Sequence, residues 1–327
     1  MAAALRAGLV GLGSMGRHHA RVLREMPGVD LVGAVDPFRV AGGVPVYREV
    51  AELIAAGVDM TVVAAPTVTH EPVGLELAAA GVHTMVEKPI AADVVGAQRL
   101  VDAFESAGLV GAVGHIERFN PALQSLRQRV LSGEIGEIYQ IVTRRQGPFP
   151  QRIADVGVVK DLATHDIDLT AWIAGSPYTV VAAQVAARSG REHEDLVAAT
   201  GRLANGTVVN HLVNWLSPMK ERLTMVTGER GAFVADTIGV DLTYYANGTF
   251  ATEWDSVANF RGVTEGDVTR FALAKREPLR LEHEAFRDAV LGVRDEVVSL
   301  REGLATLRVA ESLLEASASG RAVYPSA

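Results

Sequence analysis

Three clusters of residues in this 327-residue chain have the types and spacing to do chemistry. The first is Asp161-Leu-Ala-Thr-His165. On a helix this spacing puts the carboxylate and the imidazole on one face. An imidazole exchanges a proton near neutrality, and a carboxylate beside it can orient the ring or bind a substrate hydroxyl. The alternative is that Asp161 serves the helix N-terminus and His165 packs inside. The second cluster is Glu87-Lys88-Pro89. The Lys88 ammonium can hydrogen-bond a substrate hydroxyl and stabilise the alkoxide forming from it, or it can be a solvated ion-pair partner of Glu87. The third is Gly11-Leu-Gly13-Ser14-Met15-Gly16. Gly11 permits a tight turn, Gly13 lets a pyrophosphate approach the backbone, and Gly16 permits close helix packing. A helix opening there offers free amides and its dipole to phosphates. Asp36, twenty residues beyond Gly16, is placed to accept hydrogen bonds from an adenosine ribose. Its charge repels a 2′-phosphate and favours NAD, while Arg39 is near enough to neutralise one and keeps NADP open.

These residues need a scaffold, and the apolar pattern supplies one. Ala7–Val10, Leu31–Val35, Thr61–Ala64, His83–Val86 and Val110–Val113 read as short apolar strands. Pro72–Ala80 and Val94–Ala107, between them, have apolar residues at helical spacing. Near-continuous apolar strands alternating with helices imply a parallel sheet covered on both faces. In such a sheet the C-terminal strand ends line the ligand crevice, and Glu87-Lys88 falls at one of them. After Asn120-Pro121 the pattern changes: a helix over Pro121–Leu131, a strand over Ile138–Arg144, a Pro/Gly-rich loop, and a helix starting near Lys160. Strands then follow strands from Val180 to Tyr245, with Asn205-Gly206 marking a hairpin. Helices return over His283–Leu291 and Glu302–Ser317. The expected fold class is α/β: a Rossmann domain over residues 1–118, then an α/β domain with a mostly antiparallel open sheet over 119–327.

Composition excludes several classes of function. The chain has no cysteine, so thiolate metal sites, disulfides and a cysteine nucleophile are absent, and a reducing cytoplasm is compatible with that usage. A net charge of −8 provides no general footprint for nucleic acid or an anionic membrane. No apolar stretch reaches the roughly 18 to 20 uncharged residues that span a bilayer. The apolar start carries its charge at Arg6, inside the run, and reads as a first strand rather than a secretory signal. One local exception to the acidic balance is Arg144, Arg145 and Arg152, near the Asp161/His165 segment. Such a cluster suits a diphosphate, with a solvated strand edge as the plain alternative. Glu192-His-Glu-Asp195 and Glu282-His-Glu284 mix metal-ligand residue types but read as charged, solvated stretches, and no metal is expected. His18-His19 belong to the helix after the glycine turn, near the cofactor site, and the scattered Trp and Tyr residues serve packing.

Taken together, these features resemble the Gfo/Idh/MocA family of NAD(P)-dependent oxidoreductases. The glycine turn, Asp36, Pro66-Thr-Val-Thr-His70, Glu87-Lys88-Pro89, Gly114-His-Ile-Glu-Arg-Phe-Asn-Pro121 and the Asp161/His165 pair arrive in family order over nearly the whole chain. The resemblance implies that Lys88 and His165 are catalytic with Asp161 beside them, and that the Lys88-Pro89 peptide is cis. It implies a cofactor site of Gly11, Gly13, Ser14, Met15, Gly16, Asp36, Pro66, Thr67, His70, Glu87 and Lys88. The substrate site would comprise Lys88, Arg118, Asn120, Arg145, Arg152, Asp161 and His165. It also implies a homo-oligomer, dimer or tetramer, built on the open sheet. Arg144 to Arg152 followed by Asp155 to Asp168 most resembles the branch that oxidises C3 of UDP-N-acetylglucosamine. The expected reaction is oxidation of a secondary ring alcohol of a sugar or nucleotide-sugar, with NAD as hydride acceptor. An inositol or other polyol is the alternative substrate. A non-catalytic dinucleotide sensor is the alternative of another class, and the intact Lys88, Asp161 and His165 set argues against it.

Overall fold

The apolar runs of the first third become a six-stranded sheet in the computed structural model, which describes residues 4–38, 43–150, 156–248 and 265–325. Strands β1 (Leu5–Val10), β2 (Val29–Val35), β3 (Val46–Tyr47), β4 (Met60–Val63), β5 (His83–Glu87) and β6 (Gly111–Gly114) stand in the order β3-β2-β1-β4-β5-β6. Every pairing is parallel. This is the doubly wound dinucleotide-binding order, whose crevice opens where the order reverses, at the carboxyl ends of β1 and β4. Helices α1 (Ser14–Glu25), α2 (Val50–Ala55), α3 (His70–Ala79) and α4 (Val94–Ala107) cover it. Leu9, Met60, Val62 and Val86 are wholly buried, as two-sided coverage requires. Sequence patterning does not reveal β3 or α2: one has two residues and the other six, too few for a period to show.

The second region begins with α5 (Pro121–Leu131), β7 (Ile138–Pro148), and a π-helical turn (Val159–Ala163) that runs directly into α6 (Thr164–Ala174). Strands β8 (Tyr178–Ala186), β9 (Leu196–Leu203), β10 (Val208–Asn214), β11 (Leu216–Gly228), β12 (Gly231–Asp236), β13 (Asp241–Asn247) and β14 (Glu265–Arg270) follow. With β7 they form an eight-stranded sheet ordered β14-β13-β12-β11-β7-β10-β9-β8. Only β7 and β10 pair in parallel. The expected hairpin joins β9 to β10, with Gly206 at φ 91°. Unexpected are β12 and β14, and the extension of β11 back to Leu216 across a register shift. The Ala/Gly-rich β12 carries little strand propensity of its own and is held by pairing on both sides.

Helices α7 (Pro278–Val290) and α8 (Leu300–Ser319) return to the first domain. Ser299 caps α8 in a capping box with Glu302, and Ser299 bridges to Ala112 of β6. Leu300, Leu304 and Leu307 pack with Leu100, Phe104 and Val113, while Val309, Ala310 and Leu313 join the core of the second sheet. Phe286 of α7 packs with Leu9 and Val62. A single division at residue 118 therefore misses that the chain's last helices stitch both sheets together. No helix among the described residues is long and apolar enough to cross a membrane.

A buried polar chain crosses the second core. His211 lies 2.7 Å from Thr143 Oγ1 and 2.8 Å from the Tyr178 hydroxyl, which in turn contacts Thr170. Burial, reinforced by the charge of Arg145, depresses the His211 pKa to about 4. The folded protein thus keeps this ring neutral while the unfolded chain protonates near pH 6.5. Its contribution is fully present above pH 6.5 and is lost as pH falls toward 4, amounting to about 3 kcal/mol. A His211→Gln variant should be less stable at neutral pH but lose less stability between pH 7 and pH 4, measured by urea midpoints. Equal acid sensitivity in both proteins would contradict the assignment.

Candidate active site

The glycine turn sits at the crevice because no larger residue fits it. A Cβ on Gly11 (φ 93°) would lie 2.6 Å from the Ala64 carbonyl oxygen, and one on Gly16 only 2.0 Å from that of Gly11. The turn can therefore press against β4 while α1 starts directly on top of it. Gly13 caps α1 without a side-chain hydrogen bond, and the first turn holds no acidic residue. The amides and positive end of the dipole next to Ser14 and Met15 stay available to a phosphate. Asp36 accepts hydrogen bonds from Leu12 N–H (2.8 Å) and Phe38 N–H (2.9 Å). A carboxylate has about four acceptor positions, so these two bonds aim Asp36 while leaving capacity for ribose hydroxyls. The cradle fits a dinucleotide. Thr67 is half-buried and Pro66 exposed after β4. The buried His70 ring stands 2.9 Å from the carbonyl oxygens of both Ala65 and Pro89, a strut between the turns after β4 and β5. Arg39 lies outside the described residues.

At the end of β5 the Lys88-Pro89 peptide is cis. Lys88 does not pair with its neighbour Glu87. Its Nζ donates to Asp161 twice, to the main-chain oxygen and to Oδ1, both at 2.7 Å. Glu87 instead takes the Lys88 N–H on Oε2 (3.2 Å) and His19 Nε2 on Oε1 (2.8 Å). Of the two roles open to Asp161, orienting His165 or binding a substrate hydroxyl, the first is not supported: Asp161 bonds Lys88 and not the ring. Asp161 lies in the π-helical turn, where the wider winding breaks the one-face geometry of an α-helical i, i+4 pair. Its carboxylate is committed to Lys88, and Asp161 Oδ2 and His165 Nδ1 are both buried without a partner. Burial, with the charges of Lys88 and Arg145, holds the His165 pKa well below the ordinary imidazole value. The ring is therefore a neutral base at physiological pH. His115, at the end of β6, packs edge-on with its centroid 6.2 Å from that of His165. His115 was not among the residues singled out from sequence, although it follows a C-terminal strand end.

The start of this turn is clamped from the stretch that reads as solvated. Glu194 accepts the Val159 N–H on Oε1 (3.1 Å), and its carbonyl accepts that of Val158 (2.9 Å). Asp195 is wholly buried and takes the amides of Arg188 and Ser189 and the Ser189 hydroxyl. Glu194 and Asp195 are thus a structural brace, while Glu192 is exposed as expected.

Most of the expected substrate-binding cations are spent elsewhere. Arg118 is buried and bidentate on Asp168, with Nη1 also 2.7 Å from Glu302 of α8. Asn120 caps α5 through Ala122 N–H and donates to the Thr237 carbonyl. Arg145 is buried between Asp166 (2.9 Å) and Glu117 (2.7 Å). Arg144 pairs with Glu221 at 3.0 Å, and Arg152 lies outside the described residues. A buried guanidinium matched by carboxylates is fixed in place, so Arg118 and Arg145 are held by acids of the protein itself, and Asn120 is held by its cap and by Thr237. Glu117 and Asp166, which do the matching, were not among the residues singled out from sequence.

Behind Glu87 runs a second buried chain. His19 is wholly buried, His18 is exposed, and His19 Nδ1 lies 2.8 Å from His283 Nε2. Glu282, also expected in a solvated stretch, is buried with both carboxylate oxygens unpartnered. Burial, then the charge of Glu87, raises its pKa well above the ordinary value. The folded state holds a proton there that the unfolded chain releases above about pH 4.5, so Glu282 costs stability increasingly as pH rises. Glu282→Gln should therefore stabilise the protein at pH 8 and lose that advantage toward pH 4.5, seen as a Tm difference. A variant less stable at pH 8 would show that Glu282 has a partner when folded.

Comparison with known proteins agrees with this geometry. Residues 5–115 match the oxidoreductase family with an NAD-binding Rossmann fold, and residues 123–234 match the GFO/IDH/MocA C-terminal domain. The chain is 31% identical over 317 residues to UDP-N-acetylglucosamine 3-dehydrogenase of Acidithiobacillus ferrooxidans, covering 95% of this chain and 96% of the relative. The solved structure of that enzyme superimposes with a TM-score of 0.86 at 28% identity, over 97% and 99% of the two chains. GenD2 from gentamicin A biosynthesis, solved in complex with NAD, gives 0.82 at 26% identity over 100% and 98%. An inositol 2-dehydrogenase of Corynebacterium glutamicum is 28% identical over 65% of this chain and 68% of its own length. With both domains matched in order, the chain belongs to the Gfo/Idh/MocA family of NAD-dependent oxidoreductases.

Proposed function

We propose that this protein is an NAD-dependent dehydrogenase of a UDP-sugar, oxidising a secondary ring alcohol such as C3 of UDP-N-acetylglucosamine to the ketone. The observation that carries the reading is the meeting of Lys88 Nζ, at the end of β5, with the segment that holds Asp161 and His165. The nucleotide-sugar rests on a second fact: sequence likeness to the UDP-N-acetylglucosamine enzyme runs the length of both chains, whereas sequence likeness to the inositol dehydrogenases covers 54% to 76% of this chain. That partial match keeps a neutral polyol as the second reading.

In the alcohol-to-ketone direction NAD supplies the hydride acceptor. Lys88, anchored by Asp161, donates a hydrogen bond to the reacting hydroxyl and stabilises the negative charge that grows on its oxygen. His165, kept neutral by its surroundings, accepts the hydroxyl proton. The unpartnered Asp161 Oδ2 is an acceptor for a neighbouring sugar hydroxyl. Gly11, Gly13 and Gly16 with the start of α1 hold the pyrophosphate, and Asp36 the ribose.

Oligomerisation and location complete the proposal. The face of the eight-stranded sheet away from the helices exposes Leu212, Met225, Tyr245 and Val268, a surface suited to a second copy. A cytoplasmic location is consistent with reliance on a soluble dinucleotide.

Lys88→Met and His165→Ala should each lower kcat about 10²- to 10⁴-fold with NAD binding retained, in an assay of NADH formation over UDP-sugars and inositols. Near-normal turnover in both would reject the catalytic roles, and activity on inositols alone would select the polyol reading. Asp36→Ser should shift the kcat/KM ratio from NAD toward NADP; an unchanged ratio would remove Asp36 from ribose recognition. Sedimentation at micromolar concentration should show a dimer or tetramer, and a monomer would overturn that part.

A further inference from the structure

Arg222 is a half-buried guanidinium which, among the described residues, makes no side-chain hydrogen bond and no ion pair. It stands on β11 directly opposite Arg145 of β7. Cross-strand partners project to the same face of a sheet, here the face on which α6 carries His165. Arg222 lies within electrostatic reach of His165, Asp161, Asp166 and Glu117. Two arginines side by side repel each other, and like charges directly opposite in a sheet are unfavourable. The two carboxylates at bonding distance, Asp166 and Glu117, are both taken by Arg145. Arg145 and Arg222 together balance the two carboxylates in charge, but only Arg145 bonds them, so Arg222 is left beside the reacting groups with its donors unused.

We infer that Arg222 holds the substrate's oxyanion, the phosphate nearest the sugar. The inference deepens the UDP-sugar reading and rests on it. A phosphate on the anomeric oxygen is separated from C3 by little more than the sugar ring, so a cation near His165 can reach it while the hydroxyl meets Lys88. Arg145 plays a different part: locked by its two carboxylates, it keeps Asp166 and Glu117 from collapsing onto Arg222. The guanidinium fork remains open for a bidentate phosphate. A neutral polyol offers nothing to satisfy this group, so Arg222 also discriminates against it.

The test compares wild type, Arg222→Gln and Arg222→Lys, with Arg144→Gln as a neighbouring surface control and circular dichroism confirming folding. With UDP-N-acetylglucosamine, Arg222→Gln should raise KM and the inhibition constant of UDP in parallel, about 10- to 100-fold, with kcat within about threefold. NAD affinity should be unchanged, Arg222→Lys intermediate and Arg144→Gln near wild type. If wild type oxidises the UDP-sugar but Arg222→Gln leaves KM and UDP inhibition intact, the inference is overturned and the proposed function stands. A shift in the pH profile of kcat with KM unchanged also overturns it, because Arg222 then acts only through His165. If wild type oxidises no UDP-sugar yet binds UDP or pyrophosphate in calorimetry through Arg222, the anion site stands and the UDP-sugar reading falls. Failure to bind either ligand rejects both.

Discussion

Everything at the site depends on one ion pair between domains, Lys88 Nζ to Asp161. One partner closes a strand of the Rossmann sheet and the other sits in the π-helical turn that opens α6. Both side chains are largely removed from water, so neither charge is tolerable without the other. Removing one partner of a buried pair costs about 3–5 kcal/mol, because the survivor is left desolvated and uncompensated. The pair therefore sets the distance between the cofactor cradle and the helix that carries His165. It also leaves one oxygen of Asp161 free to point at a ligand.

Around that pair, charge is distributed with economy. Arg118 and Arg145 are buried and fully matched by acids from other segments, tying the segment after β6 to α6, β7 and α8. Burial, with the charges of Lys88 and Arg145, keeps His165 neutral without a carboxylate at its side. On the Rossmann side, His19 and Glu87 form a separate buried pair that steadies the main chain of Lys88. The reacting groups are thus placed by surroundings that are already satisfied. Three of the groups left unsatisfied, Asp161 Oδ2, His165 Nδ1 and the Arg222 guanidinium, gather where a substrate would meet them.

Much of this was legible in the chain alone. Continuous apolar runs such as Met60–Val63 can only be central strands, and a glycine turn followed by Asp36 carries its own geometry, so the Rossmann half could be read almost element by element. The long helices α4 and α5 were readable to their ends because Asp93 and Asn120 cap them. Short or weakly patterned elements, α2, β3 and β12, were not, since they are held by neighbours more than by their own propensity. The stretches around Asp195 and Glu282 misled for a related reason: charge predicts exposure unless the fold supplies amides or forces a proton onto the acid.

Residue type and local spacing determined the fold class and the cofactor turn, because each of these follows from interactions within a few residues, whereas Lys88 and His165 were marked as a candidate reactive pair by the family resemblance. Tertiary structure alone decided which charges are free. Arg145 and Arg222 are chemically identical and 77 positions apart, and only the register of β7 against β11, together with carboxylates arriving from α6 and the segment after β6, neutralises one and leaves the other open. Electrostatic pairing is a property of distance in space, and distance along the chain carries no record of it.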